Sequence, residues 1–168
     1  MIKPFTQNIL LKPVIAAAFV GCAFANPIWA KPARDTSFIN PSELPPAKGY
    51  TQVVVSPMGR TLNLSGQVGM DAYGNIPAPG DFKAQTEQAF KNLDAALKAG
   101  GAQFNQVVKL TIYVTDTSQL DILRAIRDRY IDIHHPPAST LVKVSGLFRE
   151  GLMVEVDAVA VIPDKHRP

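Results

Sequence analysis

The 168-residue sequence has a single cysteine, Cys22, and it stands in an N-terminal segment that is expected to be removed. A mature chain without it excludes a disulfide framework, a thiolate metal site and a cysteine nucleophile. An absence of thiols is unsurprising in an oxidising compartment. No run of basic residues occurs either, so the sequence offers no electrostatic case for binding nucleic acid. The apolar run Val14 to Ala25 has twelve residues, short of the roughly 20 that cross a bilayer as a helix. There is no internal repeat at solenoid periods. His134 and His135 are adjacent with no third ligand at useful spacing, and neighbouring side chains diverge on most backbones, so no metal or other cofactor is expected.

The amino-terminal residues read as a secretory signal peptide over residues 1–30. Met1 to Pro13 carries Lys3 and Lys12 without an acid, the apolar run follows, and Asn26-Pro27-Ile28-Trp29-Ala30 has the small-residue character of a cleavage region. Cleavage is expected after Ala30, with Ala23-Phe24-Ala25 a second fit and lipid attachment at Cys22 a third; an uncleaved anchor is the alternative. The product would be periplasmic or secreted, with no membrane attachment after cleavage. Removing Lys3 and Lys12 from 17 Lys+Arg leaves 15 against 14 Asp+Glu, a charge of +1.

Lys31 to Lys48 is rich in proline, serine and charge and reads as a linker or extended arm, so one folded domain is expected over residues 49–168. Tyr50 to Val55 and Thr61 to Val68 read as strands joined in a hairpin by Ser56-Pro57-Met58-Gly59. Met70 to Gly80 is a turn-rich loop, tightest at Tyr73-Gly74-Asn75. Asp81 is placed to cap a helix running to Lys98, with Ala89, Phe90, Leu93, Ala96 and Leu97 as its buried stripe and Gly100-Gly101 as its stop. Val107 to Thr115 is a strand. Ser118, with Asp121 in the reach-back position, is placed to cap a second helix to about Tyr130. Its arginines, Arg124, Arg127 and Arg129, read most simply as a solvated face.

Two strands end the chain, separated by a loop from Phe148 to Gly151. In the last one, Leu152, Val154, Val156, Ala158, Ala160 and Ile162 face one way, and Met153, Glu155, Asp157, Val159 and Val161 face the other. Carboxylates on an otherwise apolar strand must be paired, hydrated or functional, because burying one alone is costly. They floor a cleft, or they form a pair at a wet sheet end. The order is ββ, helix, β, helix, ββ, an α+β layer with two helices on one sheet face. Val159 and Val161 then need a cover on the other face, and a second copy of the chain in a closed homo-oligomer supplies it economically.

Pro137-Ala138-Ser139-Thr140-Leu141, Gly146-Leu147 and Val154-Glu155-Val156, together with Gly49-Tyr50-Thr51-Gln52 and Leu64-Ser65-Gly66-Gln67, resemble the RidA (YjgF) family. The resemblance implies a chorismate-mutase-like fold with one mixed sheet, a homotrimer, and small-molecule clefts between subunits. It implies that Glu155 orients the attacking water in imine hydrolysis. Asp157 is expected to be structural. The resemblance also implies that Tyr50, Ser65 and Gly66 meet the substrate, that Ser139 and Leu141 line the pocket, and that Arg124 lies near a position approaching the cleft. For Gly66 a simple bulge is the alternative. The family arginine that holds a substrate carboxylate by a two-point contact is replaced by Ser139, and Leu141 stands where a small polar residue or cysteine is usual. The pocket is therefore expected to be less anion-seeking, which argues against 2-imino acids. A small imine, enamine or amide substrate, or a bound ligand without turnover, remain as readings.

Overall fold

A computed structural model describes residues 36–164. The expected signal peptide, residues 1–30, lies outside the described residues. Six strands and two helices follow in the order β1 (Ser37–Ile39), β2 (Val53–Val55), β3 (Gly59–Val68), α1 (Phe82–Ala99), β4 (Val107–Val114), α2 (Leu120–Arg127), β5 (Ala138–Lys143) and β6 (Val154–Pro163). The main sheet has the strand order β3-β6-β4-β5, with β6 antiparallel to both neighbours and β4 parallel to β5. Parallel strands need a long crossover, and α2 lies in this one. The mixed sheet with two helices is the architecture expected from the sequence.

The alternation in β6 explains its central place. Val154, Val156, Ala158 and Ala160 are at most 1% exposed and pack with Leu110, Ile112 and Val114 of β4 beneath the helices. Phe82, Ala89, Phe90, Leu93 and Leu97 bury one face of α1 in the same core. Asp81 caps α1 as expected: its Oδ1 accepts from the Ala84 N–H at 2.9 Å. The helix ends at Gly100, whose N–H donates to Ala96.

Three expectations need correction. The arm is not a bare linker, because its Ser37–Ile39 forms β1 and pairs antiparallel with β2. The hairpin between residues 50–55 and 61–68 does not form, since β3 pairs along β6 instead. Leu62 and Leu64 gain more beside Ala160 and Ala158 under the helix layer than they would beside a three-residue strand. Ser118 does not cap α2. Its N–H and hydroxyl donate to Asp116 at 2.8 and 2.7 Å, and the N-cap position falls to Gln119, which makes no side-chain cap bond. The helix ends at Arg127, yet Tyr130 still packs, its ring 4.9 Å from Phe104 and 5.3 Å from Phe90.

Candidate active site

The pairing register sorts the sheet into two faces. Cross-strand partners share a face, so Glu155 stands in a row with Val68 of β3, Tyr113 of β4 and Val142 of β5. Asp157, Thr111 and Thr140 form the next row, then Val159 and Lys109 with Asn63 and Ala138. This face lies opposite the helix-covered core, as the period of two requires.

Ser65, Gly66 and Glu155 come together on it. The β3–β6 register breaks between Leu64 and Gln67, which places Ser65 and Gly66 in a bulge. The half-buried Glu155 side chain lies across Gly66: a Cβ built on Gly66 would collide with Glu155 Oε1, Cδ and Cγ. The bulge and the close approach are thus one feature, since the glycine leaves the space that the carboxylate fills. The Ser65 carbonyl accepts from Gln67 Nε2 at 3.0 Å.

The other sequence-derived residues stand elsewhere. Thr51 makes a parallel bridge to Ala138 on the free edge of β5, with its hydroxyl donating to the Pro136 carbonyl at 2.6 Å and its N–H to the Pro137 carbonyl at 3.1 Å. Tyr50, half-buried, precedes it. Ser139 and Leu141 on β5 pair with Leu110 and Ile112, so they occupy the helix-side face. Leu141 is 39% exposed at this edge. The candidate residues therefore form two groups, one at the β3–β6 bulge and one at the β5 edge, on opposite faces and two strands apart.

Arg124 stands on α2 with its side chain half-exposed and bound to Asp121 Oδ1 at 3.2 Å. Arg129 is exposed and pairs with Glu87 at 3.0 Å. Arg127 departs from the solvated face expected for it. It is 7% exposed, pairs with Asp128 at 2.7 Å, and lays its guanidinium against Gly49, immediately before Tyr50. Gly49 has φ of 74°, a conformation that disfavours a side chain there.

Three aspartates order loops. Asp71 is held below the ordinary carboxylate range, first by the Asn75 N–H, with the Asn75 side chain and the Tyr73 N–H adding to it. Asp116 is lowered chiefly by the Ser118 N–H and hydroxyl, and Asp132 chiefly by the His134 N–H, then by the His135 ring. His135 also packs its ring 5.2 Å from Phe38 of β1. Arg149 Nη1 donates to the Gly74 carbonyl at 2.6 Å, tying the loop before β6 to the loop that Asp71 orders.

Sequence reasoning passed over three amides on α1: Gln85, which bonds to Gly151 and Met153 just before β6, Asn92, which bonds to Val68 and Met70 at the end of β3, and Gln88, which bonds to Asn92. Asn and Gln are mostly exposed residue types, so no local pattern marks these three; their partners are supplied by tertiary structure.

The fold and site define an α+β protein with a carboxylate set into a glycine bulge on the face of a mixed sheet that lies opposite its helices. The endoribonuclease L-PSP family model matches residues 41–162. The chain is 36% identical over 124 residues to a rat 2-iminobutanoate/2-iminopropanoate deaminase, covering 73% of this chain and 88% of that one. It is 39% identical to the protein DfrA of Myxococcus xanthus over 124 residues, 73% of this chain and 93% of that one. A Rid-family protein of unknown function from Yersinia pestis superposes with a TM-score of 0.69 at 32% identity, covering 76% and 99% of the two chains. The chain belongs to the RidA (YjgF) family.

Proposed function

We propose that this chain is an exported RidA-family hydrolase that acts on a small, neutral or weakly charged imine, enamine or related amide. Its family supports an imine deaminase or hydrolase kind of activity. The observation that carries the particular reading is the Glu155 carboxylate seated over Gly66 at the β3 bulge, half-buried and within reach of exposed backbone. There a carboxylate accepts a proton from water as the oxygen adds to the imine carbon. The C=N bond gives way to C=O, and the nitrogen leaves as ammonia or an amine with the protons supplied by that water. Ser139 replaces the guanidinium that family members use for a substrate carboxylate, leaving one hydroxyl and no charge, a loss on the order of a few kcal/mol for an anionic substrate. That loss is what supports a neutral or weakly charged substrate.

The reading includes a homotrimer, which would serve it in two ways. It would cover the sheet face opposite the helices, and it would let the β5 edge of one chain meet the Glu155 face of another. The ribonuclease named in the family description has no basic run behind it in this sequence. The second reading is a trimer that binds a small ligand in the same clefts without turnover; the loss of the arginine at Ser139 favours it. A panel of imines separates the two. Glu155→Gln abolishes turnover if the hydrolase reading holds. Unchanged turnover, with a ligand still raising the unfolding temperature, leaves binding alone. Export is tested by fractionation with intact-mass measurement: a mature N-terminus at Lys31 or Asn26 supports it, and an unprocessed cytoplasmic chain overturns it.

A further inference from the structure

We infer that Gln85 and Asn92, with Gln88 between them, are positioning residues that hold the Glu155 carboxylate and the Gly66 bulge in register. The kinetic consequence rests on the hydrolase reading above, while the structural one stands on geometry alone. Gln85 is 1% exposed, and an amide so deeply buried is costly unless its atoms are bonded. They are. Gln85 Oε1 accepts from the Met153 N–H at 2.9 Å, and Nε2 donates to the Gly151 carbonyl at 2.9 Å and the Ala78 carbonyl at 3.3 Å. Two turns along α1, Asn92 Nδ2 donates to the Val68 carbonyl at 2.9 Å and the Met70 carbonyl at 2.8 Å. Gln88 Nε2 donates to Asn92 Oδ1 at 2.7 Å and fixes which way that amide points.

The places gripped explain the arrangement. Met153 is two residues before Glu155, where β6 begins, and Val68 is two residues after Gly66, where β3 ends. Spacings of three and four put the three amides on one face of α1, so one rigid helix holds both strand ends from the same side. The contact is close: a Cβ on Gly69 would run into Cα and Cβ of Gln85. An apolar side chain would fill the same volume, but it would not fix the direction of the Met153 N–H or the Val68 carbonyl. The amides do, and the strand ends they orient carry the two halves of the bulge site.

The test uses the full mature protein. Gln85→Met keeps the length of the side chain and removes its three hydrogen bonds, and Asn92→Leu keeps the shape of that side chain and removes the Val68 and Met70 bonds. Amide hydrogen exchange should quicken selectively over residues 151–155 and 66–70, with β4 and β5 unchanged. On an imine that the wild type turns over, kcat should fall roughly tenfold or more, toward the ~100-fold that misplacement by about an ångström brings, with KM little altered. Gln85→Glu retains the acceptor for Met153 and regains a donor only when protonated, so its kcat relative to wild type should rise as pH falls. Wild-type kcat in folded Gln85→Met, or exchange that quickens evenly across the sheet, overturns the proposal. A wild type that turns over no imine sinks the hydrolase reading alone, and the exchange pattern then decides this one.

Discussion

Glu155 fills the space that a side chain on Gly66 would need, so the carboxylate and the glycine on adjacent strands define one another's position. The neighbour in the way is the far end of a flexible side chain, not backbone, and Gly66 has no positive φ to preserve.

Gly66→Ala should therefore fold and should move the carboxylate. The expected loss of stability is below about 1 kcal/mol, because Glu155 swings aside into the half-open face. Activity should fall toward that of Glu155→Gln. Thermal unfolding and imine turnover measured together check it: full activity in the alanine variant would show that the observed position of Glu155 is not the working one.

A second expectation concerns Ser139 and Leu141, which share the helix-side face at the edge of β5. Ser139→Arg alone should not yield hydrolysis of 2-iminopropanoate, since Leu141 still presents an apolar wall two residues on. Adding Leu141→Ser should. The new guanidinium must be hydrated or paired, so a cost of roughly 1 to 3 kcal/mol is expected, and folding is checked first by circular dichroism. Turnover in the single variant would show that only carboxylate recognition had been lost.

Much of this was legible in the sequence, and what was not has a common cause. The period-two alternation of Val154 to Ile162 is a local property, so β6 and its two faces could be read directly, as could the Asp81 cap and the α1 stripe. Glu155 and Gly66 could be named from the family resemblance. The hairpin failed because Val53–Val55 and Gly59–Val68 satisfy every local rule for pairing, while the better partner of β3 is β6, distant in sequence. The α2 cap failed because Asp116, Ser118 and Asp121 all suit a helix start, and only the folded turn selects Asp116 as the acceptor. Nothing local marks Gln85 as buried, for its partners at Gly151 and Met153 arrive through tertiary structure. The same holds for Arg127, whose burial depends on Gly49 packing against it.

The Asp71 loop should respond to acid. Its carboxylate is held below the ordinary value of 3.8, chiefly by the Asn75 N–H. A depressed pKa means that the ionised form is favoured by folding, so the contribution is fully present above the ordinary value and is lost as pH falls through the lowered one. The Tyr73 and Asn75 amide resonances should titrate with a midpoint below 3.8. Asp71→Asn should abolish that titration; a midpoint at or above the ordinary value would contradict the hydrogen-bonded geometry.

The division of the candidate residues between two faces leads to the last expectation. Tyr50 and Ser139 stand at the β5 edge, Ser139 on the helix side, whereas Glu155 and Gly66 lie on the opposite face. Neighbouring strands are about 4.8 Å apart and Ser139 lies in the row of Ala158, three residues along β6 from Glu155, so the two positions are roughly 14 Å from one another, with the sheet itself between their side chains. No small substrate spans that within one chain. A site using both groups must take one from each of two chains, which a closed ring of subunits permits at every interface. Tyr50→Phe and Glu155→Gln homo-oligomers should each be impaired, and subunits of the two kinds, unfolded and refolded together, should regain activity, because some interfaces then combine an intact edge with an intact carboxylate. Light scattering should give a trimer for both variants and for the mixture. Mixed oligomers no more active than their parents would place the whole site in a single chain, and Tyr50 and Ser139 would then have no part in the chemistry at Glu155.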